Sequence, residues 1–394
     1  MHQPLKGLKV IDFTHVVAGP LCTHFLRLLG AEVIKVESPA GDPLRNYSLV
    51  PEERGMAPAF IGINAGKKSV VLDLKSEEGR AAARHLIASS DILVENFRPG
   101  VMARLGFGFE EARAIRPGLI YCSVSGFGLD SPLRDHPAID QIVQSLSGLM
   151  LVSGKESDGP MRIGIPIVDT FSGLLAAFSV VSAVVQRERF GGEGQFVDVA
   201  MLDATMVMML SVVNPFLING TKHVRTGNLG FSRAPTADTF PTRKGDITVG
   251  AVQQVQVERL CRALGCSELL EDQRFATGDN RIANAEAFQA ELRSAFAKRS
   301  AAEWVKILAE TGVPAGEVCS VEDVLERGWV DGRDLRMRVA MPEGNTVEIL
   351  NAGFRFAEGG PRLEDGPPPL GAHTEEILAE VMRSPRPDSN QVQD

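Results

Sequence analysis

One carboxylate in this chain of 394 residues stands in surroundings suited to chemistry. Asp169 follows the apolar run Ile165-Pro166-Ile167-Val168 and precedes the small-residue, apolar stretch Phe171-Ser172-Gly173-Leu174. Spacing alone favours a structural role, an Asp at a helix start that accepts a backbone N–H as N-cap. The same setting suits a nucleophile. Apolar neighbours limit hydration, and a helix N-terminus supports the anion. A carboxylate that attacks an activated acyl group divides one transfer into two easier steps.

Anion recognition is the second chemistry to weigh. The turn Thr14-His15-Val16-Val17-Ala18-Gly19-Pro20 joins a predicted strand to a predicted helix. Its small residues let backbone N–H groups approach a ligand, and the helix start favours an anion. A tight strand-to-helix connection without a ligand explains the turn equally well. His15 is a candidate acid or base, although a lone His near a strand end is more often structural. Lys67, Lys68, Lys75, Arg98 and Arg104 gather around two predicted strands. Lys75 and Arg98 fall just past strand ends, where open parallel sheets bind ligands and where cations serve phosphates. Solvated surface charge is the competing explanation, and spacing alone slightly favours it. There is no G-x-x-x-x-G-K-[ST], no G-x-G-x-x-G after the first strand, no G-x-S-x-G and no H-E-x-x-H. ATP hydrolysis, ordinary dinucleotide binding and serine hydrolysis lose their best signals. The five cysteines, Cys22, Cys122, Cys261, Cys266 and Cys319, include no C-x-x-C pair, so neither a disulfide framework nor a metal site is expected.

These residues need a scaffold, and the first 125 or so residues alternate strand and helix signals. Strands are predicted at 8–13, 32–37, 69–74, 91–96 and 119–124, with helices after Pro20 and from the N-cap Ser76 to about Ala88. Alternation of this kind implies an α/β fold with a mainly parallel sheet covered on both faces. From 139 to 210 the chain is helical, interrupted by a strand at 195–199. The turn signals Asn214-Pro215, Asn219-Gly220 and Gly227-Asn228 mark 211–235 as a linker. A smaller α+β unit is expected over 236–320, with a strand at 247–252 and helices near 254–265, 284–298 and 301–311. Residues 321–394 return to the first domain through a helix at 374–382, and the last dozen are expected to be disordered.

Composition agrees with a globular enzyme. Apolar residues make up 44% and charged residues 23%, and the net charge of −9 argues against a general nucleic-acid binder. The most apolar stretch, 171–185, is short and serine-bearing and is read as a buried helix rather than a membrane span. The N-terminus lacks a signal-peptide pattern, so a cytoplasmic location is expected.

Several of these segments, taken in order, resemble the class III CoA-transferases. The carriers are Pro4–Thr14 with Ala18-Gly19-Pro20, the run Leu29–Glu37, Asn64–Lys75, and Val94-Glu95-Asn96-Phe97-Arg98-Pro99-Gly100. Late markers are Gly312-Val313-Pro314-Ala315-Gly316 and Pro369-Leu370-Gly371-Ala372-His373-Thr374. The resemblance implies a Rossmann-like large domain built from both chain ends, a smaller central domain, and an interlocked, ring-like homodimer. It implies that Asp169 is the nucleophile and that coenzyme A, a substrate rather than a tightly bound cofactor, meets Val17, Ala18, Leu72, Lys75, Asn96, Phe97, Arg98 and Arg104. His15, Arg45, Gly230 and Arg233 are the candidate substrate contacts. Arg45, Arg225, Arg233 and Arg243 are candidates to hold the second carboxylate of a dicarboxylic acid such as succinate, glutarate or itaconate.

The departures bear on substrate and reaction. Ser38 stands where some members carry Arg, Pro137 where formyl-CoA transferase has a basic residue, and the glycine-rich lid is replaced by the shorter Gly227–Arg233. These differences argue against oxalate and formate. An α-methylacyl-CoA racemase is the nearest competing reading, but Ile139 occupies the place of its base. A non-catalytic CoA-binding protein is the alternative of a different class.

Overall fold

The computed structural model describes residues 3–383. Beyond Arg383 the tail expected to be disordered lies outside the described residues. In chain order the elements begin β1 (Lys9–Asp12), α1 (Ala18–Leu28), β2 (Glu32–Glu37), α2 (Pro58–Asn64), β3 (Lys68–Val71), α3 (Glu77–Ala88) and β4 (Ile92–Glu95). Two short helices, α4 (Val101–Arg104) and α5 (Phe109–Ile115), lead to β5 (Ile120–Ser125). Then come α6 (Asp140–Leu146), α7 (Ile167–Phe190), β6 (Phe196–Ala200), α8 (Met201–Met208) and α9 (Leu210–Asn219). The middle of the chain contributes β7 (Thr239–Pro241), β8 (Asp246–Val249), α10 (Gln254–Leu264), α11 (Gly278–Ala283), α12 (Ala285–Phe296), α13 (Ala301–Glu310), β9 (Ala315–Glu317) and α14 (Val321–Glu326). The hairpin β10 (Arg336–Ala340) and β11 (Thr346–Leu350) and helix α15 (Thr374–Arg383) complete it.

The chain folds as two compact units. One comprises the chain up to Met150, Arg162–Lys222 and the chain from Val330, and the other Leu151–Met161 with His223–Trp329. In the first, a parallel six-stranded sheet runs in the order β3-β2-β1-β4-β5-β6, that of a doubly wound α/β fold. Alternate side chains of each strand face opposite ways, so each strand feeds two cores. Val10, Val33, Ile92, Val94, Ile120 and Cys122 pack with α1 and α7 on one face. Ile11, Ile34, Leu93 and Tyr121 pack with α3, α5 and α15 on the other. Continuous apolar strands are what a sheet buried on both faces requires.

Helix α1 begins at Ala18, so Pro20 is its third residue rather than its first. Ser76 caps α3 as expected, its Oγ accepting the Gly79 N–H at 2.9 Å. Gly173 lets α7 approach α1, since a Cβ there would lie 2.6 Å from the Ala18 carbonyl oxygen. Helix α7 has 24 residues and is apolar enough, by length and composition, to cross a membrane. Ala176, Val180, Ala183 and Val184 are buried against the sheet, but Leu174, Phe178 and Val185 are exposed, which corrects the expectation of a buried helix. The first part of the predicted linker is also helical, as α9 spans Leu210–Asn219 with Pro215 inside it. The apolar run outweighs the turn signal of Asn214-Pro215, and the helix ends at Gly220 in the left-handed region.

The second unit packs α10, α12 and α13 against the antiparallel sheet β7-β8-β9 around Phe240, Phe288, Phe296 and Trp304. It also claims Leu151–Met161, which the sequence pattern places in the first domain. Arg225 explains the assignment, donating to the carbonyls of Glu156, Asp158 and Gly159 at 3.2, 2.8 and 3.3 Å.

Candidate active site

Strands β1 and β4 are neighbours, and the turns after them carry the site. The Asn96 amide clamps the His15 backbone from both sides: its Oδ1 accepts the His15 N–H at 2.9 Å and its Nδ2 donates to the His15 carbonyl at 2.9 Å. Val16 has φ +66°, a left-handed backbone costly for a β-branched residue. The Asp42 carboxylate holds it there, accepting the Val16 N–H at 3.1 and 3.3 Å. Asp42 pairs in turn with buried Lys35 at 3.0 Å, and Lys35 Nζ donates to the Thr14 carbonyl at 2.7 Å.

Beneath the turn, Asp12 accepts the Thr14 N–H at 2.8 Å, the Thr23 hydroxyl at 2.6 Å and Lys67 Nζ at 3.1 Å. Burial alone would raise the Asp12 pKa, but Lys67, Lys35 and the hydroxyl donors outweigh it and hold it at about 2. A strained segment held from this many sides is preorganised. At its end, the N–H groups of Val17 and Ala18 have no acceptor among the described residues.

Asp169 sits in the first turn of α7 but does not cap it, which corrects the N-cap expectation. The cap comes from α6: one Asp140 carboxylate oxygen accepts the N–H groups of Val168 and Asp169 at 2.8 and 3.2 Å. The side chain of Asp169 has no hydrogen-bond or ion-pair partner among the described residues, and burial, reinforced by the Asp140 charge, pushes its pKa up to about 7. It borders a cleft of about 500 Å³ that is also lined by His15, Val17, Ala18, Asn96, Phe97 and Arg98. Such a carboxylate, half withdrawn from water at the wall of a substrate-sized cleft, fits a perturbed functional group.

The structure thus brings Asp169, His15, Val17, Ala18, Asn96, Phe97 and Arg98 to one cleft. Asn96 spends its amide on the protein backbone, so it shapes the site in addition to lining it. Leu72 is buried in the core, and Lys75 and Arg104 are exposed and outside this cleft's lining. Arg45 is the clear correction. Its guanidinium is buried, bidentate to Glu37 at 2.7 and 2.7 Å, and stacked 4.0 Å from the Phe60 ring, so it is committed to the fold. Of the other candidate arginines, Arg225 is taken by backbone carbonyls and Arg243 pairs with Glu303 at 2.9 Å. Gly230 and Arg233 are exposed in the second unit.

Sequence reasoning missed Tyr47, Arg162 and Met201, which line the cleft, and the structural part played by Asp140 and Gln144. The pair Asp140 and Gln144, four residues apart and so on one face of α6, was the available signal. Arg134 and His136 line the same cleft one position either side of Asp135. Among the described residues no group of three or more His, Cys, Asp or Glu forms a metal site.

Known proteins resemble the chain over nearly its whole length. The model of CoA-transferase family III matches residues 5–374. Succinyl-CoA:glutarate CoA-transferase of Mus musculus is 32% identical over 382 residues, covering 97% of this chain and 87% of that protein. Acetyl-CoA:oxalate CoA-transferase of Acetobacter aceti is 36% identical over 370 residues, covering 92% and 93%. The crystal structure of a CAIB/BAIF family protein from Brucella suis superposes with TM-score 0.88 at 34% identity, covering 97% and 100%. The chain belongs to CoA-transferase family III, and it is a CoA-transferase.

Proposed function

We propose that the protein moves CoA from succinyl-CoA to a second small dicarboxylic acid through covalent intermediates on Asp169. The observation that carries this reading is the Asp169 carboxylate itself, unpaired at the edge of a cleft whose other wall is a rigid, backbone-donor turn. The Asp169 oxygen attacks the thioester carbonyl, the C–S bond breaks, and CoA thiolate leaves with the electron pair. This gives an aspartyl–acyl anhydride. The thiolate then attacks the Asp169 carbonyl, releasing the donor as its carboxylate and leaving an aspartyl-CoA thioester. The acceptor carboxylate displaces CoA from Asp169 to form a new anhydride, and the thiolate attacks the acceptor carbonyl, which frees Asp169. No ATP is consumed, because thioester energy is conserved throughout.

The free N–H groups of Val17 and Ala18 suit the oxyanions formed on the way. Arg98, without an ion-pair partner among the described residues, suits a CoA phosphate. With Arg45, Arg225 and Arg243 committed elsewhere, Arg162, which has no ion-pair partner among the described residues, suits a second carboxylate, and Arg134, paired with Asp135 at 3.7 Å, His136 and His15 line the same cleft. The glutarate enzyme among the relatives supports a dicarboxylate acceptor. The oxalate enzyme requires oxalate in the panel despite the missing glycine-rich lid.

The active form in this reading is a cytoplasmic, interlocked homodimer. Leu174 and Phe178 of α7, and Phe216, Leu217 and Ile218 of α9, are exposed in the single chain and would be covered by the partner.

Incubation with succinyl-CoA and glutarate, itaconate or oxalate, followed by mass spectrometry of CoA esters, tests the proposal. A new ester that disappears in Asp169→Ala supports it. Turnover undiminished in that variant refutes the aspartyl route. The same mixtures in deuterated water report α-proton exchange, the racemase reaction that a cleft containing both His136 and Asp169 would otherwise allow.

A further inference from the structure

Helix α6 and the first turn of α7 are joined by a chain of hydrogen bonds that ends at the nucleophile. Gln144 is completely buried. Its Oε1 accepts the Ile163 N–H at 2.9 Å, in the segment that leads into α7. Its Nε2 donates to Asp140 Oδ1 at 2.6 Å. The other Asp140 oxygen accepts from Val168 and Asp169 at 2.8 and 3.2 Å. The two side chains lie one helical turn apart on the same face of α6.

This arrangement settles two things at once. The segment entering α7 is fixed at both its ends, at Ile163 and at Val168, so the direction of the Asp169 side chain is set by α6. The N–H groups that would otherwise favour an Asp169 anion are used by a competing carboxylate.

We infer that Asp140, held by Gln144, is a positioning residue that aims Asp169 and takes the α7 backbone donors that would otherwise stabilise its anion. A more basic carboxylate is a stronger nucleophile toward the thioester and a poorer leaving group from the mixed anhydride, so the returning thiolate attacks the Asp169 carbonyl and the donor carboxylate departs. The upward push on the Asp169 pKa comes first from burial and second from the Asp140 charge. The other ionisable groups around the cleft are His15 from the turn after β1, Tyr47 beyond β2, Arg98 after β4, Arg134 and His136 before α6, and Arg162 before α7. Asp140 is the one among them that acts on Asp169 both by charge and through its backbone.

The inference rests on the reading of Asp169 as nucleophile, and the test separates the two. CoA transfer is followed against pH for the wild type, Asp140→Asn, Asp140→Glu and Gln144→Met, with unfolding midpoints recorded for each. Asp140→Asn keeps an acceptor oxygen but removes the charge. Its acid limb in kcat/KM is expected to move down by about half a pH unit or more, with kcat on the plateau reduced about tenfold. Asp140→Glu is expected to restore the wild-type acid limb while kcat stays low, because the charge returns but the aim does not. Gln144→Met keeps both carboxylates and cuts the ties to Ile163 and to Asp140, so kcat falls and the acid limb stays in place. It also carries the test should Asp140→Asn fail to fold. A loss of rate in Asp140→Asn with an unmoved acid limb would reduce Asp140 to a helix cap and overturn the inference. Wild-type kcat in Gln144→Met would overturn the tie. Substrate ionisations are common to all variants and cancel in the comparison. Full activity of Asp169→Ala would instead remove the nucleophile reading on which the inference rests.

Discussion

Two carboxylate clusters, one lining the cleft and one beneath the β1 turn that borders it, are built on opposite principles. Under the β1 turn, Asp12 and Asp42 meet Lys67 and Lys35, and every charge has a partner. At the α6–α7 junction, Asp140 and Asp169 form no ion pair with an ammonium or guanidinium among the described residues. The first cluster lowers a pKa to about 2 and the second raises one to about 7. Satisfied polar networks make a rigid base, whereas a like-charge pair left without a counter-ion costs stability.

The largest expected effect tests the strained side of this comparison. Asp169→Ala should lower CoA transfer by a factor of at least about 1,000, read as CoA-ester formation, with a folded state no less stable than the wild type at neutral pH. Lys67→Met attacks the satisfied side. It strands the buried Asp12 charge, and chemical unfolding should show a loss of about 3 kcal/mol. A loss below about 1 kcal/mol would mean that the network contributes little and the contrast is overstated.

The two clusters should also respond to pH with opposite signs. The folded-state pKa of Asp12 lies below its unfolded value, so its stabilisation is present above about pH 4 and is lost as pH falls toward 2. The folded-state pKa of Asp169 lies above its unfolded value of about 3.8, so its folded form binds the proton more tightly. Its contribution is intact below about pH 4 and is lost as pH rises toward 7. Asp169→Asn, which mimics the neutral acid, should therefore match the wild type near pH 4 and exceed it by about 2 kcal/mol at pH 8 in urea unfolding. Equal stability at both pH values would show that Asp169 ionises without penalty.

The smallest effect falls on the turn between the clusters. Asn96→Ala removes both bonds to His15 and frees the strained Val16 segment. A drop in kcat/KM of about tenfold is expected, with a change in unfolding midpoint that is minor beside that of Lys67→Met. An unchanged kcat/KM would show that the turn holds its shape without the clamp.

Much of the first unit is legible along the chain. The strand predicted at 32–37 is β2 at its observed bounds, and α3 runs from its Ser76 cap to Ala88 as the sequence suggests. Buried parallel strands are short apolar runs, and caps are local, so both leave local signals. Helix α9 is not legible, since Asn214-Pro215 spells a turn and only the apolar run around it overrides the spelling. The extra segment of the second unit is invisible for another reason: Arg225 captures backbone carbonyls of residues 156–159, and a carbonyl has no letter in the sequence.

The site divides in the same way. The amino-acid sequence by itself determined the family, the alternation of strands and helices along the first unit, and Asp169 as a carboxylate to test, because motif order and apolar spacing are properties of the linear chain. Only the tertiary structure decided that Arg45 is locked to Glu37, that Asn96 works on the His15 backbone, and that Asp140 rather than Asp169 caps α7. Those outcomes depend on which groups meet at hydrogen-bond distance after strands and helices far apart in the chain are packed together, and residue type alone does not encode the meeting.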